Sequence, residues 1–221
     1  MLSQSVEDYL KTIYKLQDEG AVSTTDLARA LDVSSASVTN MVKRLAQLGL
    51  VSHQSYRGVT LTEAGEKIAL EIIRHHRLLE TYLKEVLGYS WDKMHEEAEH
   101  LEHHISEEFE DKIEAMLGYP THDPHGDPIP TRDGQIEPPA DNPLASADAG
   151  RTVIIQRVSD ADPHLLQYLE SIGLMPRTRV HVLSKAPFNG PITLRIEDRN
   201  QVVGYEIAQH IYVATEPAPD A

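Results

Sequence analysis

Cysteine is missing from all 221 residues, which excludes disulfides and leaves any metal site to oxygen and nitrogen ligands. Aromatic residues are scarce at 5%, with a single tryptophan. No apolar run approaches the roughly 20 residues that span a bilayer. The opening MLSQSVEDY has neither the basic stretch nor the apolar stretch of an export signal. A cytoplasmic chain with no membrane partner is therefore expected. Basic residues are also in the minority, 20 Lys and Arg against 35 Asp and Glu, for a formal net charge of −15. Spread evenly, that charge would argue against a nucleic-acid partner.

It is not spread evenly. Residues 1–66 carry −2 and 151–221 carry −1, whereas 67–120 carry −7 and 121–150 carry −5. Between Arg29 and Thr60 there are four bases and one acid, Asp32. A locally basic face on an acidic protein is compatible with DNA binding. Eight of the twelve histidines fall between His75 and His125, within the acidic middle of the chain.

The first 66 residues read as three helices and a hairpin. SVEDYLKTIYKLQDEG places Val6, Tyr9, Leu10, Ile13, Tyr14 and Leu16 at helical spacing before Gly20. STTDLARALDVS opens on capping-type residues. SSASVTNMVKRLAQLGLV turns Val38, Met41, Val42, Leu45 and Leu48 inward and stops at Gly49. VSHQSYRGVTLTEAG then alternates like a strand pair with Arg57-Gly58 at its tip. This order is that of a winged helix-turn-helix DNA-binding domain. On the third helix Ser34, Ser35, Ser37, Thr39, Asn40, Lys43 and Arg44 form the outward face. Short hydroxyl and amide groups suit base edges, and the basic residues, with Arg57 on the wing, suit phosphates. Any amphipathic three-helix unit shares part of this pattern; the wing at the right distance favours DNA.

Residues 67–135 read as a helical domain. One helix runs from about Glu63 to Leu87, with Ile68, Ile72, Leu79, Leu83 and Leu87 on one side. A second is expected across SWDKMHEEAEHLEHHISEEFEDKIEAMLG, with Trp91, Met94, Ala98, Leu101, Ile105, Phe109, Ile113 and Met116 in a regular stripe. Such a stripe beside a DNA reader suggests a homodimer interface, because a palindromic site needs two readers; packing within one chain is the alternative. The Pro, Asp and Gly content of 136–150 reads as a linker. Residues 151–217 alternate strand-like runs around one short helix, HLLQYLESIG, as a small β-barrel. The fold expected is thus mainly α with a small β domain.

HEEAEHLEHH, from His95 to His104, holds the densest chemistry. His95, Glu99, Glu102 and His103 are spaced i, i+4, i+7, i+8, so on one continuous helix all four share a face beside the apolar stripe. Glu96, Glu97, His100 and His104 fall elsewhere. The preceding helix adds His76 and Glu80, also i and i+4, and the first helix offers Asp8. Carboxylates with one or two imidazoles suit a six-coordinate divalent ion such as Mn²⁺ or Fe²⁺. A solvated acidic helix with incidental histidines is the competing reading. The zinc-protease pattern HExxH fails, since His100 arrives one residue too late, and no enzyme is expected.

These motifs resemble the diphtheria toxin repressor family of metal-dependent transcriptional regulators over nearly the full length. The resemblance rests on VEDYLKTIYKL, SSASVTNMVKRL with YRGVTLTEAG, RHHRLLETYL, HEEAEHLEHH, HGDPIP and, in the barrel, LESIGLMP. It implies an SH3-like, FeoA-type C-terminal domain and a primary metal site from Asp8, Glu99, Glu102 and His103. Iron-sensing members carry methionine and cysteine at the positions of Asp8 and Glu99, and the manganese-sensing branch carries acids there. The two-domain manganese regulators have a glutamate where this chain has Lys11, so their two-ion arrangement is not expected here. The resemblance further implies an ancillary site from His76, Glu80 and His95 with barrel ligands, Asp160 and His164 being the candidates. Some members instead draw ligands from the loop matching Asp123 and His125; both versions share Glu80. The function implied is metal-gated binding of palindromic operator DNA by a homodimer. Mn²⁺ is the expected effector and Fe²⁺ the alternative, with Co²⁺, Zn²⁺ or Cd²⁺ as surrogates. In the absence of metal the clustered carboxylates are expected to repel one another. A metal-independent winged-helix regulator, or a metal buffer or hydrolase, are the other classes open to the residues alone.

Overall fold

The computed structural model describes residues 2–17, 20–54 and 57–215; Tyr56 of the expected wing and residues 216–217 of the expected barrel lie outside them. The chain divides into two compact units. The first comprises residues 1–76, 99–110 and 130–136, and the second 77–98, 111–129 and 137–221.

In the first unit, α1 (Gln4–Leu16), α2 (Thr24–Ala30), α3 (Ser35–Gln47), β1 (Val51–Gln54) and β2 (Gly58–Leu61) form the winged helix. Serine starts two of the helices. The Ser23 hydroxyl accepts from the Asp26 amide at 3.0 Å, and that of Ser34 from the Ser37 amide at 3.2 Å, each cap being worth about 1 kcal/mol. Leu10, Ile13, Leu27, Val38, Leu45 and Val59 are wholly buried in one cluster that joins α1 to the recognition region. Each such side chain contributes on the order of 2 kcal/mol. The hairpin pairs Val51 with Leu61 and Gln54 with Gly58, and Val22 makes a single antiparallel bridge to Val59. Gly58 has φ +101°, and a Cβ there would fall 2.7 Å from the Val22 carbonyl, so the wing turn needs glycine. Leu48, expected inward, closes α3 and is half exposed.

The helical region contains α4 (Glu63–Glu85), α5 (Trp91–Leu101) and α6 (Glu107–Met116). The single helix expected over 91–116 is broken: residues 102–104 form a turn. The break has a local cause. Ser106 accepts the Phe109 amide on its hydroxyl at 3.2 Å, and Glu107, Glu108 and Glu110 follow in the first turn, so a new helix starts where serine caps it and acids favour its N-terminus. Leu87 lies beyond α4 and is exposed.

In the second unit, β3 (Thr152–Val158), α7 (Pro163–Ile172), β4 (Arg179–Lys185), β5 (Ile192–Ile196), β6 (Arg199–Val203), α8 (Tyr205–Ala208) and β7 (Ile211–Thr215) build an antiparallel sheet of order β6-β5-β4-β3-β7. Period-two alternation buries Val153, Ile155, Val180, Val182, Ile192, Leu194, Ile211 and Val213. Asp162 caps α7 with Pro163 at its first turn, and Gly173 at φ +76° ends it. Part of the segment read as linker is fastened to this domain. Leu144 and Ala145 are buried, and Lys185 donates to the carbonyls of Ala145 and Ala147 at 2.6 and 3.1 Å.

Candidate metal centres and nucleic-acid interface

A first cluster forms in the first unit. The break after α5 places Glu102 and His103 in the turn, so they reach Asp8 from a turn and not from the helix face expected. His103 Nδ1 lies 2.7 Å from Glu7 Oε2, which directs Nε2 toward Asp8 Oδ1 at 2.9 Å and Glu102 Oε1 at 3.4 Å. Nε2 is nevertheless buried and without a hydrogen bond among the described residues. One ligand atom each from Asp8, Glu102 and His103 lies within 4.8 Å of the others; ligands bound at about 2.2 Å to one ion lie roughly 3 to 4.4 Å apart. A buried imidazole nitrogen that faces two carboxylates and makes no hydrogen bond to either fits a divalent cation. Partial burial raises Asp8 above the usual carboxylate range, and Glu102 and Glu99 add to this against His103.

The other half of this cluster is organised by Lys11. Its Nζ lies 2.7 Å from Glu99 Oε1 and 2.9 and 2.8 Å from the two oxygens of Glu102, and its side chain is only 6% exposed. Burial disfavours the ammonium, but Glu102 and Glu99 more than offset it and push the Lys11 pKa up. Burial likewise acts to raise Glu99, and Lys11 and His76 bring it down to about 2. His76 Nδ1 contacts Glu102 Oε2 at 2.6 Å, which places His76 beside the primary residues. The expectation of mutually repelling carboxylates therefore needs correcting: a tethered ammonium holds them together. A further layer supports the turn. His75 Nδ1 lies 3.2 Å from the Glu102 carbonyl and its Nε2 3.3 Å from Glu110 Oε2. Arg74 donates to Glu110 at 2.5 Å and to the Pro130 carbonyl at 2.8 Å.

A second cluster lies wholly in the second unit, from Glu80, Asp123 and His125. His125 is fully buried, and neither ring nitrogen makes a hydrogen bond among the described residues; Glu80 Oε2 is 3.7 Å from its Nδ1. Buried polar atoms are nearly always paired, so this imidazole too fits a cation. His95 Nδ1 reaches Glu80 Oε1 at 2.9 Å. The loop is built by Asp123, whose Oδ1 accepts the amides of His125 and Asp127, each at 2.9 Å. The Val158 amide donates to the His125 carbonyl at 2.9 Å, and a Cβ on Gly126 would collide with the Gln156 carbonyl, so the loop seats tightly on β3. Burial pushes Asp123 up to about 7, with Glu80 and Asp127 adding to it. Burial opposes the charge on His125, but Glu80 and then Asp123 outweigh it and raise the pKa to about 9. Arg77 lies 3.5 Å from both Asp123 and Asp127.

Of the residues expected from the barrel, Asp160 is near enough for its charge to act on His125 and Asp127. His164 is exposed on the first turn of α7, its amide held by Asp162 at 2.8 Å, and belongs to neither cluster. Glu7, Arg77 and Asp127 were not legible as site residues, and Lys11 entered only as the residue in place of a glutamate of the two-domain manganese regulators, not as a partner of Glu99 and Glu102. Glu7 and Lys11 flank Asp8 at one and three positions, and that proximity on the first helix was the available clue.

On the winged helix, Ser34, Ser35, Ser37, Thr39, Asn40, Lys43, Arg44 and Arg57 are all exposed. Lys43 and Arg44 have no acidic partner within ion-pair distance among the described contacts, in contrast to Arg29, which meets Asp26 at 3.4 Å.

A winged helix with an open basic recognition face, in one unit with a buried carboxylate and imidazole cluster, defines the class of metal-responsive DNA-binding regulators. Comparison with known proteins specifies the family. Residues 1–59 match the iron-dependent repressor N-terminal DNA-binding domain, 62–131 the iron-dependent repressor metal-binding and dimerisation domain, and 142–215 the FeoA domain. The iron-dependent repressor IdeR of Mycobacterium tuberculosis strain H37Rv is 32% identical over 228 aligned positions, covering 96% of this chain and 97% of that protein. A solved manganese-dependent transcriptional repressor in complex with manganese is 42% identical, with a TM-score of 0.85 over 96% of this chain and all of that one. The manganese regulator SloR is 33% identical with a TM-score of 0.75, covering 96% and 98%. The chain belongs to the diphtheria toxin repressor family of metal-dependent transcriptional repressors.

Proposed function

We propose that this protein is a manganese-responsive repressor that binds a palindromic operator as a homodimer, using two divalent-cation sites. The observation that carries this reading is His103 Nε2, buried and facing the carboxylates of Asp8 at 2.9 Å and Glu102 at 3.4 Å without a hydrogen bond among the described residues. Asp8 belongs to α1, which shares its core with the recognition helix, and Glu102 and His103 belong to the turn after α5. A divalent cation bound there would supply positive charge and directional bonds to hard oxygen and nitrogen ligands. Asp8, Glu102 and His103 would hold it in the first cluster with Glu99 beside them, and Glu80, Asp123 and His125 would hold it in the second, with His95 and Asp160 close by. His76 contacts Glu102 Oε2 at 2.6 Å, which supports reading it with the first cluster. The all-oxygen and nitrogen set, with no thiolate or thioether, favours manganese, in keeping with two solved relatives, a manganese-dependent transcriptional repressor and the manganese regulator SloR.

The gating follows from linkage. Asp8 fixes the reader relative to the 102–103 turn, so ligand occupancy favours one arrangement of α3. An effector at a hundred times its dissociation constant supplies about 2.7 kcal/mol, roughly a hundredfold in affinity if it binds only the competent state. Dimerisation is supported by α6, where Phe109 and Met116 are 41% and 65% exposed.

The test is fluorescence anisotropy on palindromic operator DNA in chelator and with Mn²⁺, anaerobic Fe²⁺, Co²⁺ and Zn²⁺. Tight binding with Mn²⁺ alone or best, lost in Asp8→Ala and His103→Ala, is expected. Preference for Fe²⁺ would move the protein to the iron-responsive branch, and equal binding in chelator would end the metal-gated reading.

A further inference from the structure

Lys11 is placed where a ligand would be expected, and it carries the wrong charge for one. Its ammonium contacts Glu99 Oε1 and both oxygens of Glu102 at 2.7 to 2.9 Å. A lysine ammonium has three donors and no lone pair, so it cannot coordinate a cation and can only compete for the same oxygens. We propose that Lys11 is a resident counter-cation of the first cluster, which a divalent ion must displace from Glu99 and Glu102, and that this competition sets the metal threshold of that site. The inference rests on the reading of the Asp8, Glu102 and His103 cluster as a metal site.

Three observations support it. The contacts are made to the carboxylates themselves, and the Lys11 to Glu102 pair is buried, with side chains 6% and 0% exposed, where charge interactions are least screened; Glu99 is 41% exposed. Glu102 Oε1 is shared between Lys11 at 2.9 Å and His103 Nε2 at 3.4 Å, so an ion arriving between Asp8 and His103 meets the ammonium at that oxygen. Displacement also has somewhere to go. A cleft of about 420 Å³, lined by Asp8, Lys11, Thr12, Lys15, Leu31 and Glu99, opens beside the ammonium, and the four-carbon stem of a lysine can swing its head from the carboxylates into it.

The resident cation has two opposed effects. It stabilises the metal-free protein by holding α1 against the 102–103 turn, and it weakens metal binding there. A substitution that removes the charge while keeping the length separates them, because loss of fold cannot produce a gain in metal affinity.

The experiment is an Mn²⁺ titration followed by the EPR signal of the free aqua ion, on the full chain carrying His125→Asn so that the second cluster does not contribute. Lys11→Met and Lys11→Gln are each expected to bind Mn²⁺ at least tenfold tighter than this parent, while their metal-free melting temperatures fall and their metal-induced increments grow. Lys11→Arg, which keeps the charge, is expected to stay within about threefold of the parent. Unchanged or weaker Mn²⁺ binding in both neutral variants, with the parent binding one ion, would overturn the competition and leave the metal site standing. Absence of Mn²⁺ binding in the parent and in every variant would overturn both.

Discussion

The indole of Trp91 lies against the imidazole of His125, with ring centroids 5.2 Å apart and planes inclined by 43°. Trp91 is the sole tryptophan of the chain and is fully buried, so it is a natural reporter of the second cluster. Paramagnetic Mn²⁺ or Co²⁺ held by Glu80, Asp123 and His125 is expected to quench its emission. His125→Asn should abolish the quenching while Asp8→Ala leaves it intact. Quenching that survives His125→Asn would mean that the second cluster is not a cation site.

Proton linkage at the same cluster has a definite sign. Asp123 is raised to about 7 and His125 to about 9, so both hold protons near neutrality when no ion is bound, and ligation must release them. Mn²⁺ affinity at this site should fall as pH drops from 8 to 6, and calorimetry in buffers of different ionisation enthalpy should detect released protons. For the metal-free fold, a carboxyl raised to about 7 costs stability increasingly between the unfolded value near 4 and pH 7. A histidine raised to about 9 adds stability below pH 6.5 that is lost as pH rises through 9. Both act in one direction, and the metal-free melting temperature should be higher at pH 6 than at pH 9.

The Arg74 and Glu110 pair predicts the acid limb. Both side chains are 6% exposed. Burial acts to raise Glu110, but hydrogen bonds from His75 and Arg74 lower it to about 2. A depressed carboxylate contributes stability above about pH 4.5 and loses it as pH falls toward 2. Arg74→Met alone should cost about 3 kcal/mol by stranding Glu110, whereas adding Glu110→Met should restore much of it, because an apolar pair avoids the buried charge. Urea unfolding of the two variants checks the difference.

Glu7 predicts an indirect effect. Its contact with His103 Nδ1 at 2.7 Å orients the ring so that Nε2 faces Asp8. Such orienting partners are worth about 10- to 100-fold in metal affinity, and Glu7→Gln should weaken Mn²⁺ binding in that range without changing helicity by circular dichroism.

On the recognition helix, Lys43→Ala should weaken binding to all DNA sequences alike and reduce the salt slope by about one, as expected for a phosphate contact. Asn40→Ala should act differently, lowering discrimination between operator and mismatched sites more than affinity for random DNA. Anisotropy at several salt concentrations distinguishes the two.

Local patterns in the sequence determined the elements. The 3.6-residue spacing of Leu10, Ile13, Val38, Val42 and Leu45, the capping-type start at Ser23, and the strand-like alternation of Val153, Ile155, Val180 and Val182 each specify a helix, a helix start or a strand from neighbours alone. The chemistry of the metal ligands was legible for the same reason, since the lack of cysteine and the density of histidine and glutamate are properties of composition. Tertiary structure decided how those ligands meet. The helix break at 102–104 turned Glu102 and His103 toward Asp8. The pairing of His76 with Glu102, and of Glu80 with Asp123 and His125, depends on contacts between residues tens of positions apart. Lys11 is the plainest case: in sequence it stands out only through the resemblance, as a lysine where the two-domain manganese regulators carry a glutamate, and only the approach of Glu99 and Glu102, some ninety residues on, makes it a buried cation.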